Sequence, residues 1–193
     1  MAVNLQKGQK ISLNKEAGSA LTQVVMGLGW DAAKKKGFLG FGGGSQDVDL
    51  DASCLMFDAG GVLVDEVWFR QLRSKDGSIE HTGDNRTGDG TGDDEQIKVA
   101  LERVPAQVTS LVFTVNCFTG QDFSQVANAF CRILDGRSQQ EVARYDLSVQ
   151  GNHNAQIMAK LYRHNDEWKM HAIGENGQGR TFEDLMPQIT PHL

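Results

Sequence analysis

Few cysteines, few prolines and no long hydrophobic run are the first features of this 193-residue sequence. The three cysteines, Cys54, Cys117 and Cys131, are odd in number and lie inside apolar runs, which predicts reduced core residues and no disulfide framework. No apolar run approaches the ~20 residues that a membrane-spanning helix needs. The N-terminus also lacks the apolar core of a signal peptide. We therefore expect a cytoplasmic protein without a transmembrane segment.

Positive charge is also scarce, since 19 lysines and arginines face 25 aspartates and glutamates, for a net charge of −6. This balance argues against general nucleic-acid binding. The five histidines show no nucleophile–base arrangement, and His81 is expected to be an orienting or surface residue. Three tryptophans and two tyrosines are too few to indicate the aromatic cleft of a glycoside hydrolase. We therefore expect that the protein is not an enzyme.

What the sequence does have is acid, concentrated in the loop Gly83–Glu95. This loop has no apolar residue, so it cannot be a helix or strand that buries a face. Its glycines allow tight backbone reversal, which lets several oxygen atoms point at one centre. Carboxylates held so close need a divalent cation, a basic partner, or water and salt around them. The carboxylates are Asp84, Asp89, Asp93, Asp94 and Glu95.

A second acidic cluster, Asp47–Asp51, begins a segment that alternates apolar and polar residues as far as Phe57. The alternation predicts a strand with one buried and one polar face. Asp31 ends the preceding predicted strand, Leu21–Trp30. Calcium takes about six to eight oxygen ligands in irregular geometry, which suits such clusters. The loop is not an EF-hand, because Arg86 and Gly88 stand where oxygen ligands should, and a solvated acidic surface remains the alternative.

About ten short strand-like segments, with turns roughly every 8–12 residues, predict a β-sandwich or barrel. The chain shows no repeat or linker, so we expect a single domain over residues 1–193. Val3–Leu5 and Ile11–Leu13 are expected to pair as a hairpin. A short helix near Asp122 and a terminal helix after Thr181, with Asp184 completing a capping box, are also expected.

The segment 32–46 is rich in glycine and lysine. Its composition is typical of a surface loop. The alternative is that Lys34–Lys36, together with a metal in the acidic loops, hold a phosphorylated small molecule. The protein would then be a metal-dependent enzyme or binder.

Several segments, in order from residue 1 to about 175, resemble the TerD family of bacterial tellurite-resistance and general stress proteins. They are Met1–Gln9, Gly27–Asp31, Asp49–Ser53, His81–Gly88, Gly92–Gln96, Ala143–Ser148 and Leu161–His164. The resemblance implies a β-sandwich of two antiparallel sheets with a few short helices and long acidic metal-binding loops. It also implies two calcium ions. Their ligands would come from Asp31, Asp49, Asp51, Asp84, Asn85, Asp89, Asp93, Asp94 and Glu95.

The same resemblance implies a role in tellurite resistance and the stress response. The expected activity is that of a calcium-dependent binding or scaffold module, ordered by the metal. Its expected partners are other stress and tellurite-resistance proteins, in a complex peripheral to the inner membrane. The basic segment 34–46 and the segment after 175 depart from the shorter family members. The chain therefore resembles an accessory paralogue encoded with a tellurite-resistance operon.

Overall fold

Two β-sheets form the protein in the computed structural model, which describes residues 2–32, 49–83, 92–147 and 151–193. The first sheet has the strand order β1-β10-β9-β3-β7-β6 and the second β2-β12-β11-β8-β4-β5. The strands are β1 Val3–Asn4, β2 Lys10–Ser12, β3 Gln23–Ala32, β4 Leu50–Asp58, β5 Leu63–Val67, β6 Ile79–His81, β7 Glu95–Ala100, β8 Val108–Cys117, β9 Val126–Asp135, β10 Glu141–Asp146, β11 Ala155–His164 and β12 Glu167–Gly177. The helices are α1 Leu13–Ala17 and α2 Phe182–Ile189, with 3-10 turns at Phe123–Gln125 and Thr190–His192.

Among the described residues, the strand pairings are antiparallel apart from the short parallel pair of β1 and β10. Inward-facing side chains of both sheets form one large core cluster, which includes Met26, Cys54, Ile97, Phe113 and Met158. The predicted β-sandwich with a few short helices is therefore confirmed. None of the helices in the described ranges is long and apolar enough to cross a membrane.

The predicted N-terminal hairpin is wrong, because its two strands join different sheets. β1 pairs with β10 in the first sheet, whereas β2 pairs with β12 in the second. The turn between them is held by β12: Gly8 N donates to Ala172 O at 2.6 Å, and Ala172 N donates to Gln9 O at 2.9 Å. Local alternation located both strands, although Leu13 begins helix α1, but it could not specify their distant partners.

The polar face predicted for β4 is not a solvated surface. A second apolar cluster covers this side of the second sheet, formed by Leu55, Phe57, Val112, Ile157, Leu185 and others. Asp51 and Ser53 share the face of Leu55 by strand alternation, and they are only 5 % and 3 % exposed. Helix α2, about 130 residues downstream in the sequence, supplies Leu185 to this cluster.

The start of α2 agrees with the sequence prediction. The Thr181 side chain accepts from the N3 backbone, and the Asp184 side chain accepts from the Thr181 backbone, so the capping box is formed. Asp122 likewise caps the 3-10 turn through Ser124 N at 3.1 Å. Both predicted helix starts are therefore confirmed.

Candidate metal site

The acidic segment that precedes β7 is fastened to the end of β3. Asp94 N donates to Leu28 O at 2.8 Å, and Asp94 Oδ2 accepts from Trp30 N at 2.8 Å. Asp31 follows Trp30 directly and is exposed. The segment that carries Asp94 therefore meets the end of β3, where Asp31 lies, at one end of the first sheet.

Glu95 extends this end to the second sheet. Its Oε2 accepts from Ala52 N on β4 at 2.7 Å, so Glu95 lies beside Asp51. His81 Nδ1 accepts from Gly83 N at 3.1 Å, which places the proton of a neutral ring on Nε2. That nitrogen lies 3.3 Å from Glu95 Oε2, and both side chains are fully buried. Glu95 therefore links the two sheets at the acidic end.

Asp93 points to the opposite, outer face of the first sheet. Its carboxylate accepts from Arg132 Nε at 2.7 Å and from Gln96 Nε2 at 3.0 Å. Partial burial opposes the charge of Arg132, but hydrogen bonds to Asp93 and Glu141 raise its pKa above the ordinary value. A Cβ on Gly27 would lie 2.2 Å from Asp93 Oδ2, so a glycine is needed there for the carboxylate to reach Arg132.

Six of the nine predicted ligands lie in described residues: Asp31, Asp49, Asp51, Asp93, Asp94 and Glu95. The structure brings Asp94 next to the end of β3 and Glu95 next to Asp51, while Asp93 turns away toward Arg132. Asp84, Asn85 and Asp89 lie outside the described residues. Within the described ranges, no group of three or more His, Cys, Asp or Glu side chains is arranged to hold a metal ion. The two-ion site therefore stays a prediction.

The structure also adds residues that sequence reasoning did not select. His81 was expected to be an orienting or surface residue, and at 3 % exposure it is not on the surface. Arg132 and Gly27 were not selected. A signal for Gly27 was available, because two glycines two positions apart in a strand, here Gly27 and Gly29, indicate close approach of another segment.

The donor chemistry at this end fits a hard cation. The side chains that meet there carry carboxylate oxygens, the ligands that calcium prefers.

The three cysteines are buried, as predicted. Burial, reinforced by the charge of Asp146, raises the pKa of Cys131 to about 12, and burial also raises the pKa of Cys54. Thiolate ligation by these two residues is therefore disfavoured.

Comparison with known proteins identifies relatives over almost the whole chain. The TerD domain family matches residues 1–188. The chain is 49% identical over 188 residues to tellurium resistance protein TerZ of Serratia marcescens, covering 97% of this chain and 96% of that protein. It is 42% identical to tellurium resistance protein TerD of the same organism, covering 93% of each. It is 40% identical to stress response protein SCP2 of Bacillus subtilis (strain 168), covering 96% of this chain and 98% of that protein.

Two solved structures share the fold. A crystal structure of a protein of unknown function superposes with a TM-score of 0.67 at 25% identity, covering 87% of this chain and 98% of that one. A homologue of telluride resistance protein (TerD) from Streptomyces coelicolor A3(2) has a TM-score of 0.66 at 21% identity, covering 83% and 92%. The second likeness shows the fold alone.

Proposed function

The chain belongs to the TerD family of tellurium resistance and general stress proteins, and we propose that it acts there as a calcium-dependent binding module. The module would hold two calcium ions at the acidic end of the sandwich. It would recruit other stress and tellurite-resistance proteins into a complex at the membrane surface, without catalysing a reaction.

The meeting of three acidic segments carries this proposal. Two hydrogen bonds, from Trp30 N to Asp94 and from Ala52 N to Glu95, bring the end of β3, the start of β4 and the approach to β7 together. The carboxylates of Asp31, Asp49, Asp51 and Asp94 would supply oxygen ligands, and loop residues Asp84, Asn85 and Asp89 would complete them. Asp93 pairs with Arg132, and Glu95 lies against His81. Asp93 and Glu95 therefore also fix the position of the end of the acidic loop.

Bound calcium would change the electrostatics of this end of the molecule. Without it, the carboxylates of the loop and of the strand ends repel one another. With it, their charge is balanced and the acidic loop can adopt one conformation, which creates a docking surface for a partner. The alternative, a binder of a phosphorylated small molecule through Lys34–Lys36, depends on residues outside the described ranges.

We expect calcium to raise the unfolding temperature of metal-stripped protein. A ligand that binds only the folded state adds about 2.7 kcal/mol at 100 times its Kd. For a domain of this size the corresponding shift is roughly 5–11 °C. Asp49→Asn and Asp94→Asn should each reduce this shift. Asparagine at 94 keeps an oxygen that can accept from Trp30 N, so it removes charge while preserving the local hydrogen bond. Thermal unfolding with calcium, and with magnesium as the ion control, measures these shifts.

Glu102→Gln is the matched control, because Glu102 is exposed in the turn after β7, away from the acidic end. It should respond to calcium as the parent protein does. An unchanged unfolding temperature in saturating calcium would rule out the metal site and identify the acidic end as a solvated surface. An equal shift with magnesium would rule out calcium selectivity.

A further inference from the structure

A cleft of about 360 Å³ lies at the other end of β3, on the outer side of the first sheet. Trp30 at the acidic end lies seven positions after Gln23 in the cleft, which is about 23 Å along a strand. The cleft is therefore separate from the candidate metal site. Its polar lining includes Gln23, Arg73, Ser78, Lys98, Arg103 and Gln139.

Two guanidinium groups converge in this cleft. A Cβ on Gly77 would lie 3.4 Å from Arg73 Nε and 3.5 Å from Arg103 Nη2, so both side chains reach the same point. Lys98 on β7 adds a third cation. None of the three takes part in the ion pairs formed among the described residues. Glu80 also lines the cleft, which leaves it with a local charge of +2 in a chain of net −6.

A buried hydroxyl provides a second, independent indication of a ligand. Ser78 is 3 % exposed, and its Oγ has no hydrogen-bond partner in the part of the chain that the structure describes. The Ser78 backbone is fixed, since its N donates to Asp76 Oδ1 at 2.6 Å and its O accepts from Ala100 N at 2.8 Å. A buried hydroxyl is normally satisfied. Ser78 is one of the residues that line the cleft, beside two arginines and a lysine.

The backbone around Arg73 is held in place before any ligand binds. Ser74 N donates to Ile79 O at 2.9 Å, and Ile79 N donates to Ser74 Oγ at 3.0 Å. Lys75 N donates to the buried carboxylate of Asp65 at 2.7 Å. Such preorganisation lowers the entropy lost on binding.

We propose that this cleft binds a small phosphate-type oxyanion, through Arg73 and Arg103 with a hydrogen bond from Ser78. Planar guanidinium groups match the oxygen geometry of phosphate and donate to two oxygens at once. The cleft volume lies in the range of small-molecule sites, about 300–1,000 Å³, so it has room for the organic part of a phosphate ester as well. This proposal does not depend on calcium binding at the other end of the sheet.

Calorimetric titration of the full chain tests the site with two probes, inorganic phosphate and ribose 5-phosphate, at constant ionic strength and with a chelator present. Arg73→Gln and Arg103→Gln should each weaken binding about 10- to 100-fold, because each removes a charge-assisted hydrogen bond. Lys7→Gln removes the same charge from an exposed turn outside the cleft and should leave the affinity unchanged. Tighter binding of ribose 5-phosphate would show that the rest of the cleft binds the organic part of a phosphate ester. Tighter binding of inorganic phosphate would show that the ligand is the free ion.

Ser78→Ala separates a binding role from a structural one. Since the hydroxyl has no described partner, its removal should leave the unfolding temperature unchanged while weakening phosphate binding several-fold. The proposal is overturned if neither probe binds at millimolar concentration. It is also overturned if the two arginine variants bind as tightly as Lys7→Gln. The presence of the chelator keeps these outcomes independent of any calcium site.

Discussion

Replacing Glu95 with alanine is expected to lower the free energy of unfolding by about 2–5 kcal/mol. The carboxylate is buried between the sheets, where it accepts from Ala52 N at 2.7 Å and faces His81 Nε2 at 3.3 Å. Alanine would remove the acceptor of Ala52 N and leave a cavity beside it, and a buried donor without an acceptor costs about 1–3 kcal/mol. Chemical unfolding in urea measures the loss.

Glu95→Gln refines this test. The amide oxygen can still accept from Ala52 N, but the amide N–H group then faces the protonated nitrogen of His81, so an intermediate loss is expected. Glu102→Ala, at an exposed position, should change stability by no more than about 0.5 kcal/mol. All four proteins should be compared in chelator and again in calcium. A loss of stability that persists in chelator would show that Glu95 stabilises the contact between the two sheets. A loss seen only with calcium would assign Glu95 to metal binding alone.

The sequence predicted those features that depend on residues close together in the chain. Strand alternation and turn residues predicted a β-rich domain, and the resemblance selected a sandwich over a barrel. The capping box of α2 involves Thr181 and Asp184, three positions apart, and was readable for that reason. The apolar context of the cysteines correctly predicted their burial.

Features that depend on distant segments could not be predicted. Asp51 lies on a polar strand face that is buried, because a helix from the far end of the chain packs on the same side of the sheet. Asp93 pairs with Arg132, 39 positions away, and a strand pattern does not specify such a pair. The cations of the cleft come from the segment before β6, from β7 and from the turn after it, so no contiguous basic stretch indicated them.

The two proposed sites place opposite charges at opposite ends of β3. The carboxylate of Asp94 lies beside Trp30, and the three cations line the cleft that contains Gln23. β7 runs antiparallel beside β3 and contributes to both ends, with Glu95 opposite Leu28 and Lys98 opposite Val25. A cation and an anion could therefore occupy the same sheet about 20 Å apart without competing for residues.

Replacing Gly174 with alanine is expected to lower the free energy of unfolding by about 2–5 kcal/mol. Gly174 has a φ of 62° and lies in a bulge of β12, where Ile173 and Gly174 together oppose Met158. The left-handed conformation alone would cost an alanine about 1–2 kcal/mol. Its Cβ would also lie 1.9 Å from the hydroxyl of Tyr145, which is 5 % exposed and cannot easily move. Overpacking of this kind costs about 1–3 kcal/mol more.

Gly18→Ala isolates the backbone contribution, because Gly18 has a φ of 71° and, apart from its chain neighbours, no described residue has an atom within 4 Å of the position that its Cβ would occupy. Gly18→Ala should therefore lower the free energy of unfolding only by the cost of the left-handed conformation, about 1–2 kcal/mol. On a Tyr145→Phe background the nearest ring atom to the new methyl group is Cζ, at 2.8 Å. The Gly174→Ala loss should then shrink by about 1 kcal/mol, measured as the coupling energy of a double-mutant cycle. Equal losses for Gly174→Ala and Gly18→Ala, or zero coupling to Tyr145, would show that the side-chain clash has no role and that backbone conformation alone requires the glycine.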